Sequence, residues 1–139
     1  MLEKAKNLKQ DEQFVLEFHS EDIEYYASIN KKGRLLFSKS FGELLDAKNV
    51  QEIAVGYNKN STEPTEAFLV IDKDQLPSDP KQRYKLKNNS GGYKSIQIER
   101  FYKYHNLQGD IVKLKIKEYK DYPGIYVIII PEESIVGGI

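Results

Sequence analysis

The 139-residue sequence contains no cysteine, which excludes disulfide bonds and thiol nucleophiles. Its only two histidines, His19 and His105, are too few for a histidine-rich metal site, and without cysteine they cannot form a Cys-His nucleophile. The acidic cluster within residues 17–24 is more typical of a solvated surface than of a hydrolytic dyad. The sequence therefore predicts a protein that is not an enzyme and that binds no metal or other cofactor.

The chain also lacks net charge and long apolar runs. Its 21 basic and 21 acidic side chains cancel, so strong non-specific attraction to nucleic acid or to an anionic membrane is not expected, and any such binding must be local. The longest apolar run, IYVIII at residues 125–130, is too short to cross a bilayer. Residues 1–13 lack the apolar core of a signal peptide. We expect a cytoplasmic protein with no membrane partner.

Apolar residues make up 40% of the chain, which is enough for one compact core. Alternating apolar residues in 14–19 and 23–29 predict two strands that pair as a hairpin. Residues 72–83 combine charges with two prolines, which favours a linker. The predicted organisation is a charged arm at 1–13, a first half at 14–71, the linker at 72–83, a second half at 84–131 and a flexible tail at 132–139.

The two halves are similar to each other when aligned. The aligned pairs are 33–41 with 93–101, 53–57 with 111–115, and 67–71 with 125–129. The order strand, helix, strand, loop, strand recurs, and such internal repeats indicate architecture. The sequence therefore predicts an α+β, mostly β fold in which two related β-α-β-β halves, preceded by the hairpin, share one barrel-like core.

Each half contains one short predicted helix. In the first, Ser40 and Glu43 have the spacing of a capping box, and Phe41, Leu44 and Leu45 share one face. Helices this short do not persist alone, so both are expected to pack across strands.

The second helix interleaves cations with aromatic residues, as proteins that stack single-stranded bases do. Helical spacing favours core packing instead, because it turns Phe101 and Tyr104 inward while Arg100 and Lys103 turn outward.

A strand pattern near the end of the second half alternates lysine with aliphatic residues. The lysines are Lys113, Lys115 and Lys117, and the aliphatic residues are Val112, Leu114 and Ile116. Lysines on an exposed strand discourage edge-to-edge aggregation, so a structural role is favoured for them.

The run ASINKKGRLLFSKSFGELLDA at residues 27–47 combines a basic Gly-Arg turn, an apolar strand and a short helix, and QGDIVKLKI at 108–116 has a Gly-Asp hairpin start. This pattern resembles the swapped-hairpin domain of AbrB-type transition-state regulators and antitoxins, over about residues 25–71 and more faintly 84–130. Tandem copies in one chain are similar to the layout of MraZ proteins, although the paired acidic and arginine motif of that family is absent.

The resemblance implies that two copies interlock into one small barrel and that basic residues on the hairpin side bind double-stranded DNA. Lys31, Lys32 and Arg34 match in the first copy, whereas the second copy retains only Lys94 as a charge in its turn. The complete set of predicted DNA-binding residues is Lys31, Lys32, Arg34, Lys39, Lys94, Arg100 and Lys103.

Two functions stay open at this point. One is a DNA-binding transcriptional regulator or antitoxin-like protein of the swapped-hairpin class. The alternative is a protein-interaction module that uses the same fold without binding nucleic acid, which zero net charge and the missing second basic turn both favour. Lysines in exposed turns are common in proteins that bind no nucleic acid, so the basic turn alone does not decide between the two functions. The sequence fits either a monomer with an internal pseudo-twofold axis or a homodimer.

Overall fold

The structure is a computed structural model that describes Leu16, residues 24–57 and residues 65–136. The strands within these residues are β1 Tyr25–Asn30, β2 Arg34–Phe37, β3 Glu52–Gly56, β4 Glu66–Val70, β5 Tyr84–Lys85, β6 Lys87–Asn88, β7 Lys94–Gln97, β8 Ile111–Glu118 and β9 Ile125–Ile129. The helices are α1 Lys39–Ala47 and α2 Glu99–Tyr104. Short 3-10 turns cover Lys73–Gln75, Pro80–Gln82, Ser90–Gly92 and Glu132–Ser134. Among the described residues, no helix is long and apolar enough to span a membrane.

All strands belong to one antiparallel sheet in the order β5-β3-β4-β9-β8-β1-β2-β7-β6. The terminal strands β5 and β6 are separated in sequence only by Leu86, whose amide donates to the Gln51 carbonyl at 2.9 Å. The segment 84–88 therefore pairs with β3 through its first part and with β7 through its second, which nearly closes the sheet into a barrel. The predicted mostly β, barrel-like α+β fold is confirmed.

Four ladders connect the two parts of the chain that flank the linker. They are β1 with β8, β2 with β7, β3 with β5, and β4 with β9. The predicted residue-by-residue alignment of 53–57 with 111–115 is wrong, because Ile53 is fully buried whereas Ile111 is 69% exposed.

In β8 and α1, the buried residues are those that period-two alternation and helical spacing predict. The aliphatic residues of β8 are buried while its lysines are exposed. On α1, Phe41 and Leu45 are fully buried and Leu44 packs partly against the core. The apolar sides of both elements thus face the barrel interior. Burial there removes their apolar surface from water, which stabilises the fold.

The capping box predicted at Ser40 and Glu43 is wrong. Helix α1 has Ser38 as its N-cap, and no side chain caps its amides. The Ser40 hydroxyl instead donates to the Glu24 carbonyl at 3.0 Å, and the Ser38 hydroxyl accepts from the Tyr26 amide at 3.2 Å. The helix thus begins one residue before Ser40, which lies in its first turn and not at the N-cap position that a capping box requires.

The hairpin predicted between 14–19 and 23–29 is wrong over residues 27–29. A strand has two edges, and at these residues β1 pairs with β2 on one edge and with β8 on the other. The predicted partner strand, apart from Leu16, and the arm predicted at 1–13 lie outside the described residues.

The inward direction predicted for Tyr104 is wrong, since this side chain is 63% exposed. The buried face of α2 is formed by Phe101 and by His105, which follows the helix and is 2% exposed. Residues four apart lie almost on one line along a helix, whereas Tyr104 is displaced to the side of that line.

The predicted tail begins with ordered structure. Ile135 is buried and forms an isolated bridge with Leu107, and the Val136 amide donates to the Asn106 carbonyl at 2.8 Å. Residues 137–139 lie outside the described residues.

Within the predicted linker, the Asp72 and Asp79 side chains accept amide hydrogen bonds that begin the two 3-10 turns.

Candidate functional site

The basic turn at residues 31–34 joins β1 to β2. The Gly33 amide donates to the Asn30 carbonyl at 3.0 Å, and the Asn30 side-chain oxygen accepts from the amides of Lys32 at 3.1 Å and Arg34 at 2.9 Å. Such an asparagine side chain replaces a backbone acceptor in a tight turn. Gly33 has φ +85°, which favours glycine. The predicted hairpin turn is therefore formed, with its basic side chains on its outside.

This turn contacts the beginning of α2. The Ile98 amide donates to the Gly33 carbonyl at 2.8 Å, and a Cβ atom on Gly33 would lie only 2.5 Å from the Glu99 Cα. Glycine is thus needed both for the backbone conformation and for the close approach. The contact places the basic turn beside the helix that carries Arg100 and Lys103.

Two cations of the basic turn have polar partners. The Lys31 ammonium lies 3.1 Å from an Asp110 carboxylate oxygen, and both side chains are mostly exposed. Exposed ion pairs contribute little to stability, so a phosphate can replace this carboxylate at small cost. Arg34 donates to the Asn89 side-chain oxygen at 2.9 Å, which connects the basic turn to the turn between β6 and β7.

Lys94 and Lys39 line a separate groove between α1 and the turn from β6 to β7. The Lys94 side chain is only 13% exposed; its ammonium lies 3.6 Å from an Asp46 carboxylate oxygen and donates to the Asn88 side chain. Lys39 is exposed at the beginning of α1, and Glu43 also lines this groove. The two lysines therefore face acidic neighbours, at the other end of β2 from the basic turn.

Strand register brings other cations onto one outer side of the sheet. Residues directly opposite each other in an antiparallel ladder point to the same side. One row across five strands consists of Lys113, Ser28, Leu36, Ser95 and Lys87. The exposed ends of this row are both lysines.

Arg34 lies two residues from Leu36, and Lys115 lies two residues from Lys113, so period-two alternation places both on the same outer side. We call this surface the cationic face. Its exposed basic residues are Arg34, Lys87, Lys113, Lys115 and Lys117.

Acidic residues are scarce on these strands. β1, β2, β6, β7 and β8 together contain six basic residues and one acidic residue, Glu118. The burial alternation of β8 assigns Glu118 to the side opposite its lysines, and Glu118 acts electrostatically on the buried Tyr126. Just before β1 and on β4, the exposed carboxylates of Glu24 and Glu66 lie on the same outer side. The five cations outnumber these two carboxylates, so the local charge of the cationic face is positive although the whole chain is neutral.

Tyr26 lies on the cationic face, directly opposite Lys115. The Lys113 ammonium is 4.7 Å from the centroid of its ring, within the range of a cation–π contact. The Tyr26 hydroxyl donates to Glu24, and this hydrogen bond is the main reason that the pKa of Tyr26 is raised. The phenol therefore remains neutral and does not oppose the lysine charge.

The sequence interpretation assigned Lys113, Lys115 and Lys117 a structural role and did not single out Lys87. The sequence shows that these lysines alternate with aliphatic residues, but it does not show which residues of other strands lie beside them. Arg34 and Lys113 share one face only because β1 pairs with both β2 and β8, and β8 is far from β1 in sequence.

Asn89 is predicted to hold the two turns together. Its side-chain oxygen accepts from Arg34, and its side-chain amide donates to the Ser95 hydroxyl at 2.8 Å. Asn89→Ala should lower the free energy of unfolding in urea by about 1–2 kcal/mol, because buried Ser95 loses its partner. Ser90→Ala, at an exposed position in the same turn, should change it by less than about 0.5 kcal/mol. Equal effects of the two variants would contradict this role.

Comparisons with known proteins give no assignment: no family model, curated protein or solved structure matches this chain. In the part of the chain that the structure describes, no group of three or more His, Cys, Asp or Glu side chains is arranged to hold a metal ion. The geometry of the cationic face is therefore the main basis for a functional proposal.

Proposed function

We propose that this protein binds double-stranded DNA through the cationic face and the adjoining basic turn, without catalysing a reaction. The observation that carries the proposal is the register that places Arg34 and the lysines of β8 on one outer side of the sheet. Basic side chains that neutralise phosphates release counterions, and this release favours binding. The face makes contacts to the DNA backbone, which position a protein without specifying sequence.

We further propose that the chain contains two interlocked β-α-β-β units of the swapped-hairpin class and acts in transcription regulation or as an antitoxin. Element order supports this proposal, because β2-α1-β3-β4 is followed by β7-α2-β8-β9. The four ladders between the halves also support it, since each half completes the sheet of the other. A single chain would then form the barrel that two separate chains form in a dimeric swapped-hairpin domain.

The test is binding of a labelled mixed-sequence duplex by fluorescence anisotropy at 50 and 200 mM salt, concentrations over which phosphate contacts weaken strongly. The triple variant Lys113→Ala, Lys115→Ala, Lys117→Ala should weaken binding at least tenfold at the lower salt concentration. It should also reduce the slope of log affinity against log salt by about 0.9 for each phosphate contact removed. A second triple variant, Lys31→Ala, Lys32→Ala, Arg34→Ala, tests the basic turn in the same way.

The matched control removes three exposed lysines elsewhere, as Lys73→Ala, Lys81→Ala, Lys120→Ala. It changes the net charge by the same amount, so it should leave most of the affinity. No complex at the lower salt concentration, or equal losses in the control and the β8 variant, would refute the proposal.

A protein-interaction module remains the second candidate, and one observation favours it. Three of the predicted DNA-binding cations already have partners within the chain, as Lys31 with Asp110, Arg34 with Asn89, and Lys94 with Asp46. Failure of the folded protein to bind any duplex would make this the leading candidate.

A further inference from the structure

Two tyrosines stack at the surface beside α2. The ring centroids of Tyr57 and Tyr104 are 4.3 Å apart and the ring planes are inclined by 24°. Tyr104 is 63% exposed and Tyr57 is 38% exposed. A stacked aromatic pair that keeps this much exposed area offers a flat aromatic surface to a ligand.

His105 supports this pair from the protein side. Its ring centroid lies 5.3 Å from that of Tyr57, 5.1 Å from that of Tyr104 and 4.5 Å from that of buried Phe101. Because His105 and Phe101 are buried, the two tyrosine rings rest on the core rather than on a loop. Burial, with the Tyr104 and Tyr84 phenols nearby, raises the pKa of Tyr57, so its ring remains uncharged at neutral pH.

Exposed cations lie on the same helix as Tyr104. Arg100 precedes Tyr104 by four residues, a spacing that places two side chains on one side of a helix, and Lys103 is adjacent in sequence. The basic turn contacts the beginning of this helix through Gly33 and Ile98. The exposed rings are thus bordered by positive charge, which complements a phosphate backbone.

We propose that the Tyr57/Tyr104 stack binds an unpaired base of a single-stranded nucleic acid, with Arg100 and Lys103 neutralising the flanking phosphates. Flat aromatic rings accept any base by stacking, and neighbouring cations retain the backbone. The cations favour this occupant over an apolar protein surface, which would have to desolvate both charges. The site is distinct from the cationic face and does not depend on duplex binding there.

The experiment compares two labelled eight-nucleotide probes on the full chain: oligothymidylate, and an abasic oligomer with the same sugar-phosphate charge. Stacking of one base typically changes affinity by about tenfold. Oligothymidylate should therefore bind about tenfold more tightly than the abasic probe. Because both probes carry the same charge, the ratio reports the bases alone.

Tyr104→Ala should abolish this preference while leaving the affinity for the abasic probe unchanged. Tyr104→Phe should retain it, because the ring remains. Tyr122→Ala, at another exposed tyrosine in the turn between β8 and β9, is the matched control and should behave like the unmodified protein. Arg100→Ala with Lys103→Ala should weaken both probes about equally and reduce the salt dependence.

Equal affinity for the two probes, no binding of oligothymidylate, or loss of preference in the Tyr122 control would overturn the proposal. Light scattering without nucleic acid provides one more test. If the protein is a dimer and Tyr104→Ala makes it monomeric, the proposal is overturned, because a second copy of the chain then covers the rings. The lysine variant of β8 separates this site from the proposed function, since it should weaken duplex binding at least tenfold and keep the preference for bases.

Discussion

Phe41→Ala should lower the free energy of unfolding by about 3–5 kcal/mol, which is the usual cost of removing a fully buried phenylalanine ring. The Phe41 ring contacts the rings of Tyr25, Phe37 and Tyr126 at centroid distances of 5.3, 5.2 and 5.2 Å. These residues belong to β1, β2 and β9, so one side chain of α1 contacts strands from both sides of the predicted linker. The cavity would remain because the surrounding strands are held by their ladders.

Urea unfolding followed by circular dichroism measures this effect. Glu43→Ala is the control, because Glu43 is exposed on the same helix and its replacement should change stability by less than about 0.5 kcal/mol. A loss below about 1 kcal/mol for Phe41→Ala would mean that α1 does not pack in the barrel as described.

Gly33→Ala should destabilise the protein by about 3 kcal/mol and displace the basic turn from α2. About 1–2 kcal/mol of this arises from placing a side chain in the left-handed region, where Gly33 has φ +85°. The remainder arises because the new Cβ would lie 2.5 Å from the Glu99 Cα and 2.7 Å from the Ile98 carbonyl oxygen. Both contacts are with backbone, so no side-chain rotation relieves them.

Two other glycines separate the two causes. Gly92 has φ +82°, and a Cβ added there would meet no atom of another segment within 4 Å, so Gly92→Ala should cost only the conformational part, about 1–2 kcal/mol. Gly56 has open space and an ordinary strand conformation, so Gly56→Ala should be neutral or slightly stabilising. Thermal unfolding of all three variants provides the comparison, and equal losses at Gly33 and Gly92 would contradict the close contact with α2.

The contact at Gly33 also joins residues of the two proposed nucleic-acid sites. It connects the turn that carries Lys31 and Lys32 to the helix that carries Arg100 and Tyr104.

Local patterns were informative wherever one face of an element meets the core. Period-two alternation correctly separated the aliphatic residues of β8 from its lysines, and helical spacing identified Phe41 and Leu45 as core residues. The basic hairpin turn was also predicted, because the Lys-Lys-Gly-Arg sequence supplies the glycine that its backbone requires.

Patterns failed where the boundary of an element or a distant segment decided the outcome. The predicted capping box was wrong because α1 begins at Lys39, so Ser40 lies inside its first turn. The predicted first hairpin was wrong over residues 27–29 because β8 occupies the second edge of β1. Tyr104 was predicted inward because three-residue and four-residue spacings were treated alike, whereas only His105 follows the line of Phe101 into the core.

The amino-acid order alone was sufficient for the mostly β composition, the apolar sides of β8 and α1, and the turn at Gly33, because these depend on neighbours within a few residues. The cationic face and the tyrosine stack depend on strand register and on contacts between residues far apart in the chain. Such contacts depend on how the whole barrel closes and buries its apolar surface, a property that no short stretch of sequence contains.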